Sequence, residues 1–566
     1  MDIPEEAVES GRGRRPALLI EAGLLALLMA VVHFHLDLPG ERLADLGGPD
    51  SVFYIQGARN LARTGEYTVQ VNGQSIPPKF PPGISLLLAP WFAAWGADAP
   101  HPLPVMQLLS YLLCLGLWLF VRVRAGSLAA FLALLGWMAG GSFIYHRLTI
   151  CTPLPDGLVL LALAALLAAP RPGRARIAAT GLVLGTGLWV HYTNLAAAAP
   201  VLLLLDPRRP GFAGRAAWLA AGALPPAAGL LLWQWSAYGH PLATGYHLWL
   251  PRYHAGTMPV FSLDYALYGP AEGRMDGPNT LFYSSYLAGR EGLLYRWPVA
   301  GILPLALAAA VFLRRRGLMA ADGARTVLFT LGSCFVFYML YSAYFYQGER
   351  LLCHLAPLAA AAAALGAAAA GRWLGRRLPG PGSRAGTLAL LLLAGANLSL
   401  LAGNLAKVAG QEATLNGQTR HARHLARILP REAWVISDLD LLFLAGELPG
   451  RRILPLRRSQ AWARPLAWRD WKRHRTGGGY GLFLAWYEAG DYGDLALTAP
   501  PAECSFPRLE AFLGRGGRVY LTSCNDLRRH PLLRRFGGRL LPGQTPPYTW
   551  RLAPPEEPPR HAAEPR

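Results

Sequence analysis

Residues 48–67 read GPDSVFYIQGARNLARTGEY, and residues 77–90 read PPKFPPGISLLLAP. Together they follow the first long apolar run of the chain, residues 17–36. The order is an acid, a short amphipathic helix and a rigid Pro-Pro-Gly turn, in which proline fixes the backbone dihedral. The next stretch, ISLLLAPWFAAWG at 84–96, is apolar but too short to span a bilayer. It is expected to lie in the interface, with Trp91 and Trp95 at headgroup level.

The chain has 566 residues, of which 53% are hydrophobic and 16% charged, against about 25% charged in a soluble protein. That deficit points to an integral membrane protein. The net charge of +20 suggests nucleic acid at first sight, but the distribution of charge argues otherwise. Lysine occurs only at Lys79, Lys407 and Lys472, so the basic character is carried by arginine. Cys114, Cys151, Cys334 and Cys353 lie in or beside apolar runs and read as small hydrophobes. Cys504 and Cys524 could pair if their region is exported. No cysteine pair has zinc-ligand spacing, and there is no P-loop, full dinucleotide fingerprint or HExxH.

Apolar runs lie near 17–36, 103–121, 125–145, 156–170, 177–190, 195–205, 216–236, 298–313, 325–346, 351–370 and 386–406. At roughly 20 residues per span they suggest about eleven membrane helices, the run at 195–205 being short. Arginines concentrate at 12–15, 122–124, 171–176, 208–215, 314–325 and 372–384, on alternate sides of these runs, and the longer loops opposite carry fewer. This positive-inside pattern puts the N-terminus in the cytoplasm and the chain beyond the last span outside. The expected organisation is a membrane domain over 1–407, with long outer loops at 37–102 and 237–297, an extracytoplasmic α/β domain over 408–553 and a disordered tail at 554–566. In the C-terminal region, AWVISDLDLLFLAG, GLFLAWYEAG and RVYLTSC read as buried strands, while RHARHLARIL and PRLEAFLGRG read as helices.

Several polar residues could carry chemistry at the outer surface. Asp50 can cap a helix, or serve as a general base that takes a proton from a hydroxyl; the two roles are compatible. Asp45 is its local rival. Asp156, in TPLPDGLVLL at the mouth of a span, suits a helix N-terminus and is equally a candidate functional acid. Lys79 is a solvated loop charge or a phosphate clamp. Arg350, in YFYQGERLLCHLAP, is an interfacial anchor, a partner for Glu349 or a bidentate phosphate ligand. His354, one α-turn on, is expected on the same face. Tyr54 and Arg59 on the first amphipathic segment, with His146, Arg147, His191 and Tyr246, are structural residues or cavity-lining ones.

The series Asp50, Tyr54, Ala58-Arg59, Leu61-Ala62, Thr64–Tyr67 and Phe80–Gly83 resembles the first extracytoplasmic loop of GT-C-type membrane glycosyltransferases, in the aminoarabinose transferase and protein O-mannosyltransferase branch. The YGHPLATGY segment at 238–246 and GERLLCHLAP at 348–357 add to the resemblance, which covers residues 15–410. It implies a polytopic helical fold and an inverting transfer from a polyprenyl-phosphate sugar on the outer face of the bacterial cytoplasmic membrane. The acceptor would be a lipid, a glycan or a protein. The family's catalytic acid maps onto Asp50, its second acid onto Asp156, and its phosphate-binding cations onto Lys79 and Arg350. Two departures stand out. Ser51 follows the acid where the O-mannosyltransferase version carries an Asp-Glu pair, and Phe80 separates Lys79 from the Pro-Pro that the family's lysine directly precedes. No cofactor is firmly implied by the resemblance: some members use a divalent metal, which this chain could share, and others do not. Partners are then the lipid-linked donor, the acceptor and membrane lipids, and not nucleic acid. The alternatives are a transporter or flippase, which predicts pseudo-symmetric halves, a non-catalytic envelope-assembly protein, or a glycan polymerase or ligase.

Overall fold

A computed structural model describes residues 5–37, 49–71, 74–96, 102–140, 143, 146–147, 149–169, 171–249, 260–269, 272–273, 277–288, 321–377, 384–410, 417–437, 448, 450–455, 506–523, 531–541 and 548–553. The expected span at 298–313, the strand at 481–490, Asp45, Cys504 and Cys524 lie outside these residues. The chain divides into two compact units.

The first unit comprises 1–44, 101–230 and 260–412. Its helices are α1 (Glu5–Val32), α4 (Leu103–Ala125), α5 (Ser127–Met138), α6 (Pro153–Leu167), α7 (Arg174–Val190), α8 (Ala198–Leu204), most of α9 (Phe212–Tyr238), α11 (Leu263–Tyr268), α12 (Asn279–Ala288), α13 (Ala321–Ser342), α14 (Ala356–Arg377) and α15 (Ala385–Gly410), and it holds a short parallel pair, β3 (Glu272–Gly273) and β4 (Tyr346–Gln347). Among the described residues six helical stretches are long and apolar enough to cross a membrane: Leu18–His35, Leu103–Ala125, Phe212–Tyr238, Ala321–Ser342, Leu351–Arg377 and Gly386–Ala406. The apolar helices Ser127–Met138, Pro153–Leu167 and Tyr192–Leu204 are shorter.

Sequence decides which helices face lipid. Leu19, Leu24 and Leu27 of α1 are exposed, as a span against hydrocarbon requires. Helix α14 is the opposite case: residues 356–366 are buried, and their alanines let α4, α5, α13 and α15 pack closely around it. Small residues do the same between α7 and α9. A Cβ on Gly181 would lie 2.0 Å from the Leu219 carbonyl oxygen, and one on Gly222 would lie 1.9 Å from that of Ala178.

One end of this unit gathers its charges. The Arg122 guanidinium donates to Glu21 at 2.5 Å, and Arg124 pairs with Asp322 at 3.5 Å. Arg325 donates to the Leu167 and Leu204 carbonyl oxygens, so one guanidinium satisfies the orphan C-terminal acceptors of α6 and α8.

The second unit comprises 45–100, 231–259 and 413–566. It holds α2 (Pro49–Thr64), the hairpin β1 (Val69–Val71) and β2 (Gln74–Ile76), α3 (Gly83–Trp95) and α10 (Gly245–Trp249). It also holds a C-terminal sheet made of β5 (Trp434–Ser437), β6 (Arg452–Pro455), β7 (Val519–Ser523), β8 (Gly538–Leu540) and β9 (Tyr548–Leu552). The sheet order is β6-β5-β7-β9-β8, parallel through β6-β5-β7 and antiparallel thereafter. Helices α16 (Gly417–Ile428), α17 (Phe506–Gly514) and α18 (Pro531–Phe536) accompany it. Ile436, Leu509, Leu521, Phe536 and Trp550 are in its core. His421 on α16 bonds the Thr522 hydroxyl at 2.6 Å, and burial lowers its pKa to about 4.

The α7–α9 contact is testable. Gly222→Ala forces a methyl into the Ala178 carbonyl and costs about 2 kcal/mol, read as a lower melting temperature of the detergent-solubilised chain. Gly214→Ala on the same helix meets nothing within 4 Å and leaves the melting temperature unchanged.

Candidate functional site

The first constellation lies in the second unit. Helix α2 carries Asp50 in its first turn, inside the helix rather than as the cap ahead of it. The helix lies against α3, and Gly57 permits the approach: a Cβ there would stand 2.4 Å from the Tyr67 ring and 3.0 Å from Ser85 Oγ. Ser85 donates to the Tyr54 carbonyl at 2.9 Å. Past the hairpin, the chain returns through Pro77–Gly83, and its carbonyls are held individually. The Tyr67 hydroxyl donates to the Phe80 carbonyl at 3.1 Å, and that of Tyr238 to the Pro78 carbonyl at 3.1 Å. Prolines cannot donate backbone hydrogen bonds, so these tyrosines anchor the turn through its acceptors.

The turn presents Lys79 to Asp50, with Nζ 3.8 Å from Oδ1; both side chains are mostly buried, at 20% and 16% exposed. Lys79 is therefore a paired, enclosed cation rather than a solvated loop charge. Its ammonium also lies over the Phe80 ring, 4.9 Å from the centroid, and over the Tyr246 ring at 5.6 Å. Phe80 links this wall, stacked on Tyr54 at 4.9 Å and edge-on to Tyr246 at 5.7 Å. The faces of these rings attract a cation that has lost water contacts. Arg59 lies over Phe92, 5.2 Å from its centroid.

The second constellation lies in the first unit, at the end opposite Arg325. Asp156 sits in the first turn of α6 and is 1% exposed. Its Oδ1 accepts from Asn194 Nδ2 at 2.6 Å, and its Oδ2 lies 3.4 Å from His191 Nδ1. Thr193 Oγ1 is 2.8 Å from the same nitrogen and accepts from the Tyr341 hydroxyl at 3.1 Å. His354 is buried, edge-on to Phe337 at 4.6 Å, and its Nε2 has no hydrogen-bond partner among the described residues.

Residues 349–355 form a 3-10 helix, not the α-turn expected from the apolar run that follows. The Arg350 side chain lies outside the described residues. Arg147 is fully buried, donating to Ser110 Oγ and lying over the Tyr111 ring at 4.3 Å; His146 Nδ1 is 3.1 Å from Cys151 Sγ. Among the described residues no three His, Cys, Asp or Glu side chains form a metal-binding group.

Sequence reasoning assigned no individual role to Tyr67, Tyr238, Gly245, Thr193, Asn194 or Tyr341. Gly245 carries the clearest signal, since it directly precedes Tyr246. A Cβ there would fall 2.1 Å from the Pro78 carbonyl oxygen and 2.5 Å from that of Lys79, so only glycine lets α10 reach the turn. Thr193 and Asn194 stand beside His191 as a short polar run between apolar ones.

No protein-family model and no curated protein sequence matches the chain. Among solved structures the chain is similar to ArnT from Cupriavidus metallidurans bound to undecaprenyl phosphate, with a TM-score of 0.61 at 13% identity over 94% of this chain and 99% of that one. It is similar to the same protein in the apo state, with a TM-score of 0.57 at 14% identity over 94% and 100%. The archaeal oligosaccharyltransferase AglB from Archaeoglobus fulgidus, in complex with an inhibitory peptide and a dolichol-phosphate, matches over 72% of this chain and 60% of that one, with a TM-score of 0.42 at 12% identity. The chain thus has the GT-C fold of a multi-pass membrane protein, with a C-terminal sheet-containing region, as the sequence led us to expect.

The contact between α10 and the turn depends on pH. Thr244 N–H donates to His247 Nδ1 at 3.1 Å. Burial, with a smaller contribution from His240, lowers the His247 pKa to about 4. The folded value is below the unfolded one, so the neutral ring's stabilisation is complete above about pH 6.5 and is lost as pH falls toward 4. His421 contributes with the same sign. His247→Gln therefore reduces, without abolishing, the fall in melting temperature between pH 7 and pH 4.5, as thermal unfolding across that range reports.

Proposed function

We propose that this GT-C-fold membrane protein is a glycosyltransferase that moves a sugar from a polyprenyl-phosphate donor to a hydroxyl-bearing acceptor by inverting displacement. The observation that carries the reading is the enclosed Asp50–Lys79 pair, 3.8 Å apart, on a turn walled by Phe80, Tyr54 and Tyr246. The undecaprenyl phosphate bound by ArnT supports the class of donor.

Asp50 Oδ accepts the acceptor's hydroxyl proton as that oxygen attacks the anomeric carbon. The bond from the anomeric carbon to the phosphate oxygen breaks, and its electron pair stays on the phosphate. Lys79 stabilises the charge that develops there, in surroundings where an ammonium acts more strongly than in water. Arg350 is a second cation for the lipid phosphate. A single displacement needs no covalent sugar–protein intermediate.

The arginine distribution supports a cytoplasmic N-terminus and an extracytoplasmic C-terminal domain, and the family resemblance supports a bacterial cytoplasmic membrane. In this reading residues 1–407 form the catalytic membrane domain and 408–553 the exported domain. The acceptor is a lipid, a glycan or a protein.

In vesicles supplied with radiolabelled polyprenyl-phosphate sugars, the wild type transfers label. Asp50→Asn lowers the rate at least a hundredfold with unchanged melting behaviour. Lys79→Met lowers kcat by about tenfold to a thousandfold. Transfer by Asp50→Asn at the wild-type rate removes the carboxylate from the reaction.

A further inference from the structure

Glycosyl transfer at the turn gives Asp50 and Lys79 separate tasks, yet the two groups face each other. Lys79 Nζ lies 3.8 Å from Asp50 Oδ1, and the side chains are 20% and 16% exposed. A carboxylate beside an ammonium is a poorer proton acceptor than one without that neighbour. An ammonium turned toward a carboxylate is likewise turned away from a phosphate. The contact and the chemistry therefore belong to different states of the site.

The geometry shows how one state passes into the other. The separation of 3.8 Å exceeds the roughly 2.7–3.2 Å of an N–H···O hydrogen bond, so this contact is held by charge, and a second anion can compete for the ammonium. The backbone on either side is fixed: the Tyr67 and Tyr238 hydroxyls hold the Phe80 and Pro78 carbonyls, and Gly245 packs against the backbone of Pro78 and Lys79. Movement falls to the flexible lysine stem. The Phe80 and Tyr246 ring centroids lie 4.9 and 5.6 Å from Nζ, so an ammonium leaving the carboxylate keeps aromatic faces beside it.

We infer that the Asp50–Lys79 contact is a resting lock which the donor's phosphate opens, drawing the ammonium away and leaving the carboxylate to act as the base. The inference rests on the glycosyl-transfer reading for its ligand. The donor is a phosphodiester carrying a single negative charge, and it competes with Asp50 for Lys79. Once Lys79 has turned, Asp50 takes the proton of the acceptor's hydroxyl as that oxygen bonds to the anomeric carbon. The bond from this carbon to the phosphate oxygen breaks, and its electron pair gives the departing phosphate a second negative charge. The site then holds a neutral acid, an ammonium and a dianion, with the same total charge as before the step. Asp50 gives its proton to water, the lipid phosphate departs and Lys79 closes onto Asp50 again. Activation of the base thus follows donor binding.

Carbodiimide coupling, which joins a carboxylate to an amine without a spacer, tests the lock. In nanodiscs the full chain without ligand yields an Asp50–Lys79 amide, read by peptide mass spectrometry; lysine occurs elsewhere only at Lys407 and Lys472, so the product is readily assigned. A short-chain polyprenyl monophosphate at about ten times its dissociation constant lowers the yield about tenfold. The corresponding alcohol leaves the yield unchanged, and so does inorganic phosphate, which controls for consumption of the reagent. Absence of the amide from the chain without ligand overturns the lock, as does a yield that the alcohol or inorganic phosphate lowers equally. Monophosphate binding is measured on the same nanodiscs. Binding without loss of the amide removes the lock alone, whereas failure to bind counts against the donor of the glycosyl-transfer reading and takes the lock with it.

Discussion

The candidate chemistry depends on how the turn at 77–83 is held. A proline-rich segment has few backbone donors and cannot fix itself by a hydrogen-bond ladder. Here its carbonyls accept from the Tyr67 and Tyr238 hydroxyls, and Gly245 brings the backbone of α10 against Pro78 and Lys79. One restraint is near in the chain, Tyr67 being 13 residues from Phe80, and one is distant, Tyr238 being 160 residues from Pro78. They place an ammonium beside a carboxylate and between aromatic rings, where neither charge is fully hydrated. A buried ion pair contributes little to stability by itself.

The membrane unit obeys a complementary constraint. In hydrocarbon every backbone acceptor and every charge needs a partner. Arg325 answers for the C-terminal carbonyls of α6 and α8, and Arg122 and Arg124 answer for Glu21 and Asp322. At the far end, Asp156 is answered by Asn194 and His191. The two ends thus differ in kind: one pairs acids with arginines that also cap helices, the other pairs an acid with an amide and an imidazole.

Much of this was legible in the sequence. The order of Asp50, the amphipathic helix and the Pro-Pro-Gly turn pointed to the fold through its resemblance to the first outer loop of GT-C-type proteins, and it could be read because each element is local. The apolar runs located the long helices well, but short ones such as Ser127–Met138 were extended by neighbours of similar hydropathy. The 3-10 form of residues 349–355 was not legible, because hydropathy does not distinguish an α-turn from a 3-10 turn. Partnerships between distant residues, such as Tyr238 with Pro78 or Tyr341 with Thr193, were out of reach. They depend on tertiary packing, and nothing in either local sequence names the other.

The central claim is that the Asp50–Lys79 turn receives the phosphate of a lipid-linked sugar. A high-resolution cryo-EM structure of the full chain with bound polyprenyl monophosphate tests it most directly. The account predicts phosphate oxygens within hydrogen-bonding distance of Lys79 Nζ, with the turn and its Tyr67 and Tyr238 contacts unchanged. A phosphate bound elsewhere, with Lys79 still closed onto Asp50, would contradict it.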